Sequence, residues 1–177
     1  ETTASHGRNL TSNSASEWVC PVCKNKQYEP GWYCASEATV SYYMDPRNFL
    51  DETNIFQFQS LAYSANDNLS GVNAILKGTF MEGTKKYSTE SVNYANTFFD
   101  VAKNTGVSAY HLASRVKQEQ GTKGTSPLIS GTYSGYEGYY NFFNFNAYGK
   151  TKEDIYKNGL YFAKQQGWNT RVKSIQG

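Results

Sequence analysis

The sequence predicts a mainly helical fold, and three observations carry that prediction. Apolar residues recur at helical spacing in segments that begin with a capping residue and end at glycine or proline. A segment rich in glycine and tyrosine, 131–149, breaks this pattern and argues against a helix there. A chain of 177 residues with 38% hydrophobic content is long enough for one core but short for two comfortable domains.

Each predicted helix has its own start and stop. The spacing predicts helices over 32–44, 88–104, 108–121 and 151–166, and also over 55–61, where phenylalanines alternating with glutamines would equally fit a strand. The first helix ends at 45–46 because the residue before a proline resists helical backbone. Ser108 and Thr151 can cap two of the others, and three glycines lie where helices should stop: Gly106, Gly121 and Gly167.

The helix over 108–121 carries the residue that we single out as a catalyst, Glu119. At 100° per residue, Glu119 lies within about 20° of Leu112, at the edge of the apolar stripe. A carboxyl at such an edge is partly desolvated, which favours its protonated form, and glycoside cleavage needs a general acid that still holds a proton near neutral pH. The alternative is an ordinary solvated ion pair with Arg115, one turn back.

An aromatic cluster follows this helix. It comprises Tyr133, Tyr136, Tyr139, Tyr140, Phe142, Phe143 and Phe145. Aromatic rings on a strand or loop can line a groove and stack on sugars, while tyrosine hydroxyls bind sugar hydroxyls. Phenylalanine is the better core residue, so the tyrosines are the predicted groove residues. The alternative is that all of these rings fill a small hydrophobic core.

Four blocks of sequence occur in an order that resembles a known family. They are ATVSYYMDPRNFLDETNIFQFQSL (38–61), YHLASRVKQEQG (110–121), SPLISGTYSGYEGYYNFFNFNAYG (126–149) and NGLYFAKQQGWNTRVKSIQG (158–177). Together they resemble the catalytic domain of clostridial autolysins, the glycoside hydrolase family 73 endo-β-N-acetylglucosaminidases that cut bacterial peptidoglycan. Several blocks in the right order are far more specific than one short motif.

The resemblance implies an α+β, mainly α fold that is lysozyme-like and two-lobed, with a small β-hairpin lobe over a substrate groove. It implies that Glu119 is the general acid that cleaves the N-acetylglucosamine-β-1,4-N-acetylmuramic acid bond. The segment YYNFFN matches the block that supports the family's groove, so Tyr139 and Asn141 are predicted to contact substrate and Tyr140 to orient the reacting groups. Gln120 and Tyr136 complete the predicted substrate-binding set.

Glu137, in a glycine-flanked turn, is the candidate second carboxylate. It could activate water, stabilise charge, or orient the substrate's 2-acetamido group if that group itself attacks the anomeric carbon. Inverting enzymes place the two carboxyls about 6.5–9.5 Å apart and retaining ones about 5–5.5 Å. We favour substrate assistance or a weakly placed base, because the chain offers few acidic residues near Glu119.

Two other function classes remain open at this stage. A muramidase or lytic transglycosylase could share the same helix and acid, and a wall-glycan binding module could keep the groove without turnover. A net charge of +2 is too weak to argue for nucleic-acid binding, and no apolar run approaches membrane-spanning length. The resemblance implies a secreted, wall-associated protein that acts on peptidoglycan strands, and we expect a monomer with no cofactor needed for catalysis.

The domain organisation follows from composition and from the resemblance. Residues 1–31 are predicted to form a polar lead-in that carries a CxxC segment, and residues 32–177 the catalytic domain. Because related chains continue past the point corresponding to SIQG, and because the chain starts without methionine or a signal segment, it reads as an excised domain.

Three cysteines form a separate candidate site. Cys20, Cys23 and Cys34 resemble half of a zinc knuckle plus one further ligand. The alternatives are a disulfide from Cys34 to one of the other two, or three reduced thiols. His6 and His111 are the only histidines, and neither is predicted as the fourth ligand or as a catalytic base.

Overall fold

The structure is a computed structural model that describes residues 10–11, 18–24 and 31–177. The chain divides into two compact units, Glu1–Gln59 and Ser60–Gly177. Most of the predicted polar lead-in, His6 included, lies outside the described residues. None of the helices in the described ranges is both long enough and apolar enough to cross a membrane.

Among its described residues, the first unit has one small sheet and one α-helix. Strand β1 (Leu10–Thr11) pairs antiparallel with β2 (Tyr33–Cys34), and helix α1 spans Glu37–Met44. The hydroxyl of Ser36 caps α1 by accepting a hydrogen bond from the backbone N–H of Thr39 at 3.1 Å. The predicted start of this helix at residue 32 is wrong because residues 33–34 belong to a strand, whereas its end before the proline is confirmed.

Two 3₁₀ helices follow in this unit, at Pro46–Phe49 and Asn54–Phe58. The second replaces the α-helix predicted over 55–61. It begins where the Asp51 carboxylate accepts hydrogen bonds from the backbone N–H groups of Thr53 and Asn54, at 2.9 and 2.8 Å. Its side chains are exposed, so no packing favours a longer helix here.

The second unit is mainly helical. Its elements are α2 (Leu69–Leu76), β3 (Thr84–Lys86), β4 (Ser91–Asn93), α3 (Tyr94–Thr105), α4 (Ala109–Gln120), a 3₁₀ helix (Pro127–Ile129), α5 (Lys152–Gln165) and α6 (Arg171–Gln176). Strands β3 and β4 form an antiparallel hairpin with Lys85 opposite Val92. The predicted α+β, mainly α fold with a small β-hairpin is thus confirmed.

The helix predicted from residue 88 begins only at Tyr94. The preceding residues pair in the hairpin, and the side chain of Asn93 accepts a hydrogen bond from the backbone N–H of Asn96 at 3.0 Å, which caps α3. The C-terminal stop is as predicted, since Gly106 takes the left-handed conformation at φ +75°. The sequence placed the end of the helix correctly and its start too early.

The core of this unit lies between α2, α3, α4 and α6. Helix α4 contributes the buried side chains of Ala109, Ala113 and Val116, so the predicted apolar stripe does face the core. Phe142, from the aromatic segment, is fully buried against the same core. Burying a side chain of that size stabilises the fold by roughly 1.5–3 kcal/mol. The last turn of α4 and the loop that follows Phe142 are therefore held close together.

Candidate active site

Helix α4 is fixed at both ends, and this positions its last turn. The buried carboxylate of Asp67 accepts hydrogen bonds from the Ser108 hydroxyl at 3.0 Å and from the Ala109 backbone N–H at 2.9 Å. A negative charge there suits the helix N-terminus. Gly121, with φ +66°, ends the helix one residue after its last turn. Glu119 projects from that turn with 22% of its side chain exposed, as expected for the edge of the apolar stripe.

The Glu119 carboxylate is held at both of its oxygens. Its Oε1 lies 2.8 Å from Nη2 of Arg115, so the ion pair considered as an alternative exists. Its Oε2 accepts a hydrogen bond of 2.8 Å from Nδ2 of Asn144, which belongs to the aromatic segment. The second contact distinguishes Glu119 from a solvated helix pair, because it joins the end of α4 to the loop that carries the predicted groove residues.

Gln120 lies in the interior beside this carboxylate, with only 7% of the residue exposed. Its Nε2 donates to the Phe142 carbonyl at 2.9 Å and to Oδ1 of Asn144 at 2.8 Å. Its Oε1 is buried and has no hydrogen-bond partner among the described residues. The structure thus directs the amide of Gln120 towards the loop backbone.

Asn141 ties the same loop to α5. Its side chain is fully buried, and Nδ2 donates to the carbonyls of Phe145 at 2.7 Å and Gly159 at 2.8 Å. Its Oδ1 accepts from the backbone N–H of Phe145 at 3.0 Å. All three bonds are internal, so the side chain acts on the shape of the loop.

Three tyrosines of the segment are more accessible than Tyr140 and Phe142, which are buried. Tyr133, Tyr136 and Tyr139 are half-buried, and the ring centroid of Tyr133 lies 6.4 Å from that of Tyr136. Phe142 is buried as predicted, but the prediction of a core position is wrong for Phe145, which is 47% exposed. Its ring nevertheless contacts three others, with centroid distances of 5.9 Å to Phe143, 6.4 Å to Phe162 and 5.9 Å to Trp168.

Glu137 is exposed in its glycine-flanked turn. Its two oxygens each lie 3.1 Å from the backbone N–H of Gly135. Hydrogen bonds from its own backbone N–H and from that of Gly135 lower the pKa of the Glu137 carboxyl below its usual value. The group is therefore a carboxylate at neutral pH. Within the described part of the chain, no hydrogen bond or ion pair joins it to Glu119.

Tyr140 lines a cavity of about 400 Å³ that sequence reasoning missed. The buried guanidinium of Arg171 lies between the rings of Tyr87 and Tyr140, 3.5 and 4.4 Å from their centroids. Its Nη1 donates to Oε1 of Glu90 at 2.9 Å and to the Tyr140 hydroxyl at 3.1 Å. Because 81 residues separate Glu90 from Arg171, no local pattern could have paired them.

A second cavity, of about 360 Å³, lies beside Arg115. Its lining is mostly apolar and includes Leu112, Phe143 and Phe145, together with the ring of His111. The cavity therefore borders the residue that pairs with Glu119. His111 lines this cavity, and within the described residues no hydrogen bond or ion pair joins it to Glu119.

The three cysteines, all in the first unit, come together as predicted. Their sulfur atoms lie within 4.8 Å of one another, and Sγ of Cys23 is 3.3 Å from Sγ of Cys34. Backbone N–H groups of Cys23 and then Val22 donate to the sulfur of Cys20 and lower its pKa to about 7, against an opposing effect of desolvation. The turn closes with the Lys24 N–H donating to the Cys20 carbonyl at 2.9 Å.

The chain is similar in sequence and in structure to known glucosaminidases and autolysins. No family model matches the chain. Over 152 residues it is 33% identical to the beta-N-acetylglucosaminidase of Bacillus subtilis (strain 168), covering 83% of this chain but 16% of that protein. The crystal structure of Major Bifunctional Autolysin matches with a TM-score of 0.59 and 29% identity, covering 86% of this chain and 59% of the other.

A further structure supports the fold alone. It is a catalytic mutant of S. aureus Autolysin E in complex with the disaccharide NAG-NAM, at a TM-score of 0.51 and 21% identity, covering 85% of this chain and 60% of the other. The chain thus spans less than two thirds of the length of each of these proteins. The helix-borne glutamate, the aromatic loop and these matches confirm the resemblance predicted from the sequence: the chain is similar to the glucosaminidase domains of autolysins, glycoside hydrolase family 73.

Proposed function

We propose that the protein is an endo-β-N-acetylglucosaminidase that hydrolyses the N-acetylglucosamine-β-1,4-N-acetylmuramic acid bond of peptidoglycan. One observation carries this proposal: a half-buried carboxyl, Glu119, lies at the end of a helix and is held to the aromatic loop. The relatives named beta-N-acetylglucosaminidase and autolysin support the reaction class.

In this reaction Glu119 donates a proton to the bridging oxygen, and the electron pair of the broken C–O bond stays with that oxygen. The anomeric carbon gains the oxygen of a water molecule, either directly or after attack by the substrate's own acetamido group. Glu137 is a carboxylate at neutral pH and so suits a base, a charge stabiliser or an orienting group for the acetamide.

The other predicted site residues fall into two groups, half-buried and buried, and we assign their roles accordingly. Tyr136 and Tyr139 are half-buried, and we assign them to stacking on sugar rings. Tyr140 lines the 400 Å³ cavity and accepts a hydrogen bond from Arg171, and we assign it the orienting role that the resemblance implies. Gln120 and Asn141 are buried and use their amide nitrogens internally, so we assign them to the support of the loop and not to direct sugar contact.

Release of new reducing ends from purified cell walls tests the activity. The Glu119→Gln variant keeps the shape and removes the transferable proton, so turnover should fall by about 10² to 10⁴-fold while glycan binding stays near normal. Retained turnover in this variant would refute the assignment of the acid. If the wild-type protein binds glycan and releases no reducing ends, it is a binding module.

The products identify the bond that is cut. A glucosaminidase leaves N-acetylglucosamine at the new reducing end, a muramidase leaves N-acetylmuramic acid, and a lytic transglycosylase leaves an anhydro sugar. Mass spectrometry of the released fragments therefore separates the three enzymes.

We further propose that the protein acts as a secreted, wall-associated monomer on peptidoglycan strands. Its catalytic domain would span 32–177, with all of the catalytic groups within Ser60–Gly177.

Hydrolysis of this kind needs no cofactor, but the three cysteines suit a structural zinc ion. Tetrahedral zinc with bonds of about 2.3 Å places its sulfur ligands roughly 3.8 Å apart. The sulfurs of Cys20, Cys23 and Cys34 already lie within 4.8 Å of one another, so a small adjustment would bring them to that spacing. We propose that these thiolates hold one zinc ion and leave one coordination position for a further ligand.

A further inference from the structure

The two groups that hold Glu119 differ in how firmly they are fixed. Arg115, on Oε1, has 49% of its side chain exposed, and an exposed ion pair of this kind contributes little and opens readily. Asn144, on Oε2, is half-buried in a loop that packs against the core. The carboxyl thus has one replaceable contact and one built into the fold.

The direction of the Asn144 amide follows from its neighbours, although the two ends of an amide are easily interchanged in a structure. Nε2 of Gln120 faces the Phe142 carbonyl at 2.9 Å and the Asn144 side chain at 2.8 Å. A carbonyl can only accept, so Gln120 must present its NH₂ group to the loop. Asn144 must then turn its oxygen to Gln120 and its NH₂ group to Glu119.

The backbone fixes Asn144 as firmly as its side chain does. Its φ of +56° lies in the left-handed region, where asparagine is tolerated better than most other residues. Its carbonyl accepts from the Ala147 N–H at 3.1 Å, and the next residue, Phe145, is bound through both backbone groups by Asn141. The NH₂ group that faces Glu119 is therefore placed by the loop before any substrate arrives.

We infer that Asn144 is a positioning residue that makes Oε1 of Glu119 the oxygen that carries the transferable proton. The N–H group of Asn144 points at Oε2. In a protonated carboxyl the carbonyl oxygen is a much stronger acceptor than the hydroxyl oxygen, so this hydrogen bond favours the acid with its carbonyl at Oε2 and its proton on Oε1. The inference rests on the proposed function. It also means that Arg115 covers the reactive oxygen in the resting state and must leave it before the acid is protonated and faces a sugar.

The atoms balance in the resulting step. The Oε1–H bond of Glu119 breaks, the proton passes to the bridging oxygen, and the glycosidic C–O bond breaks towards that oxygen. Water completes the reaction by giving its hydroxyl to the sugar and its proton to Glu137 or to solvent. Glu119 returns as a carboxylate whose Oε2 has stayed on Asn144 throughout. Holding that oxygen still keeps the proton donor aligned, and a misplacement of about 1 Å can reduce a rate by about 10²-fold.

The loop offers a matched pair of substitutions for the test. Asn146 has φ +53°, an exposed side chain and the same residue type, two positions after Asn144. Glycine tolerates this backbone at both places, so Asn144→Gly and Asn146→Gly each remove one amide without imposing strain. Kinetics on solubilised glycan strands, together with thermal unfolding of each variant, give the comparison.

For Asn144→Gly we expect kcat to fall by about 10- to 100-fold while KM stays within about twofold. Asn146→Gly should match the wild-type protein in both constants. Asn144→Asp keeps the shape and the acceptor for Gln120 but turns an oxygen towards Glu119. At neutral pH it should lose at least as much activity as the glycine variant. Relative to wild type at the same pH, part of that activity should return near pH 4, where the introduced carboxyl gains a proton and can donate.

Three results would overturn the inference. The first is a kcat for Asn144→Gly within twofold of the Asn146→Gly value. The second is a loss that follows the thermal midpoint or KM instead of kcat. The third is an Asn144→Asp activity that is the same fraction of wild type at every pH. Failure of the proposed function looks different, because the wild-type protein would then release no reducing ends or Glu119→Gln would remain active.

Discussion

At the scale of single residues, the acid and the second carboxylate are chemically separated by their hydrogen bonds. Glu119 is half-buried at a helix end, whereas Glu137 is exposed and receives backbone N–H groups that lower its pKa. Two carboxyls in unlike environments can take unlike roles in one glycosidase. A local turn supplies the backbone N–H groups that keep Glu137 ionised, and the sequence indicated that turn only through the flanking glycines.

The Glu137→Gln variant measures how much the second carboxylate does. If the acetamido group of the substrate makes the attack, turnover should fall by about 10- to 100-fold, less than in Glu119→Gln. Glu153→Gln, at an exposed ion pair with Lys157 on α5, is the control and should stay near wild type. A loss in Glu137→Gln as large as that in Glu119→Gln would instead make Glu137 the base that activates water.

The pH dependence of kcat/KM gives a second test of the role of Glu137. Because the pKa of Glu137 is lowered, the group stays ionised as the pH falls through the usual glutamate value of about 4.3. If its carboxylate is needed, the acid-side decline of kcat/KM should lie below that pH. A decline centred well above it would show that another group controls the acid limb.

At the scale of elements, the aromatic loop depends on Asn141. Truncation in Asn141→Ala would leave the carbonyls of Phe145 and Gly159 without their buried donor, and we expect it to lower the free energy of unfolding by roughly 3 kcal/mol. Asn158→Ala is the matched control: this exposed amide also joins the loop to α5, through the Tyr148 carbonyl at 2.7 Å. It should cost less than about 1 kcal/mol.

Urea unfolding of the two variants checks this expectation. If Asn141 instead contacts a sugar, as the resemblance alone implies, then Asn141→Ala would fold with near-normal stability and lose glycan binding. A structural role for Asn141 therefore predicts a loss of stability, and a sugar-binding role predicts a loss of glycan binding.

The same scale shows why some elements could be predicted and others could not. Helices α4 and α5 follow from Ser108, Thr151 and the glycines after them, because caps and stops are local. Strand β4 was not predicted, because residues 91–93 continue the helical spacing of α3. Only their pairing with β3 makes them a strand. The hydrogen bond from Asn144 to Glu119 was not predicted either, because it also depends on a long-range contact. It joins residues 25 positions apart through a left-handed turn.

At the scale of the whole molecule, the proposed catalytic site and the proposed metal site lie in different units. All of the proposed catalytic groups belong to Ser60–Gly177, and the three cysteines to Glu1–Gln59. A metal in the first unit would therefore act on folding and not on bond cleavage. This separation makes the zinc proposal testable independently of the enzyme activity.

We expect one zinc ion per chain by elemental analysis of protein purified without chelators, and its removal should lower the midpoint of thermal unfolding because a ligand of the folded state stabilises it. Hydrolysis at low temperature should persist.

Cys20→Ser should abolish zinc binding, with Ser41→Ala, on α1 in the same unit, as the control. Since the pKa of Cys20 is about 7, its thiolate fraction falls as the pH drops below 7, and the apparent zinc affinity should fall with it. Three accessible thiols in the unfolded protein fit this site, whereas a single one would show a disulfide and contradict it.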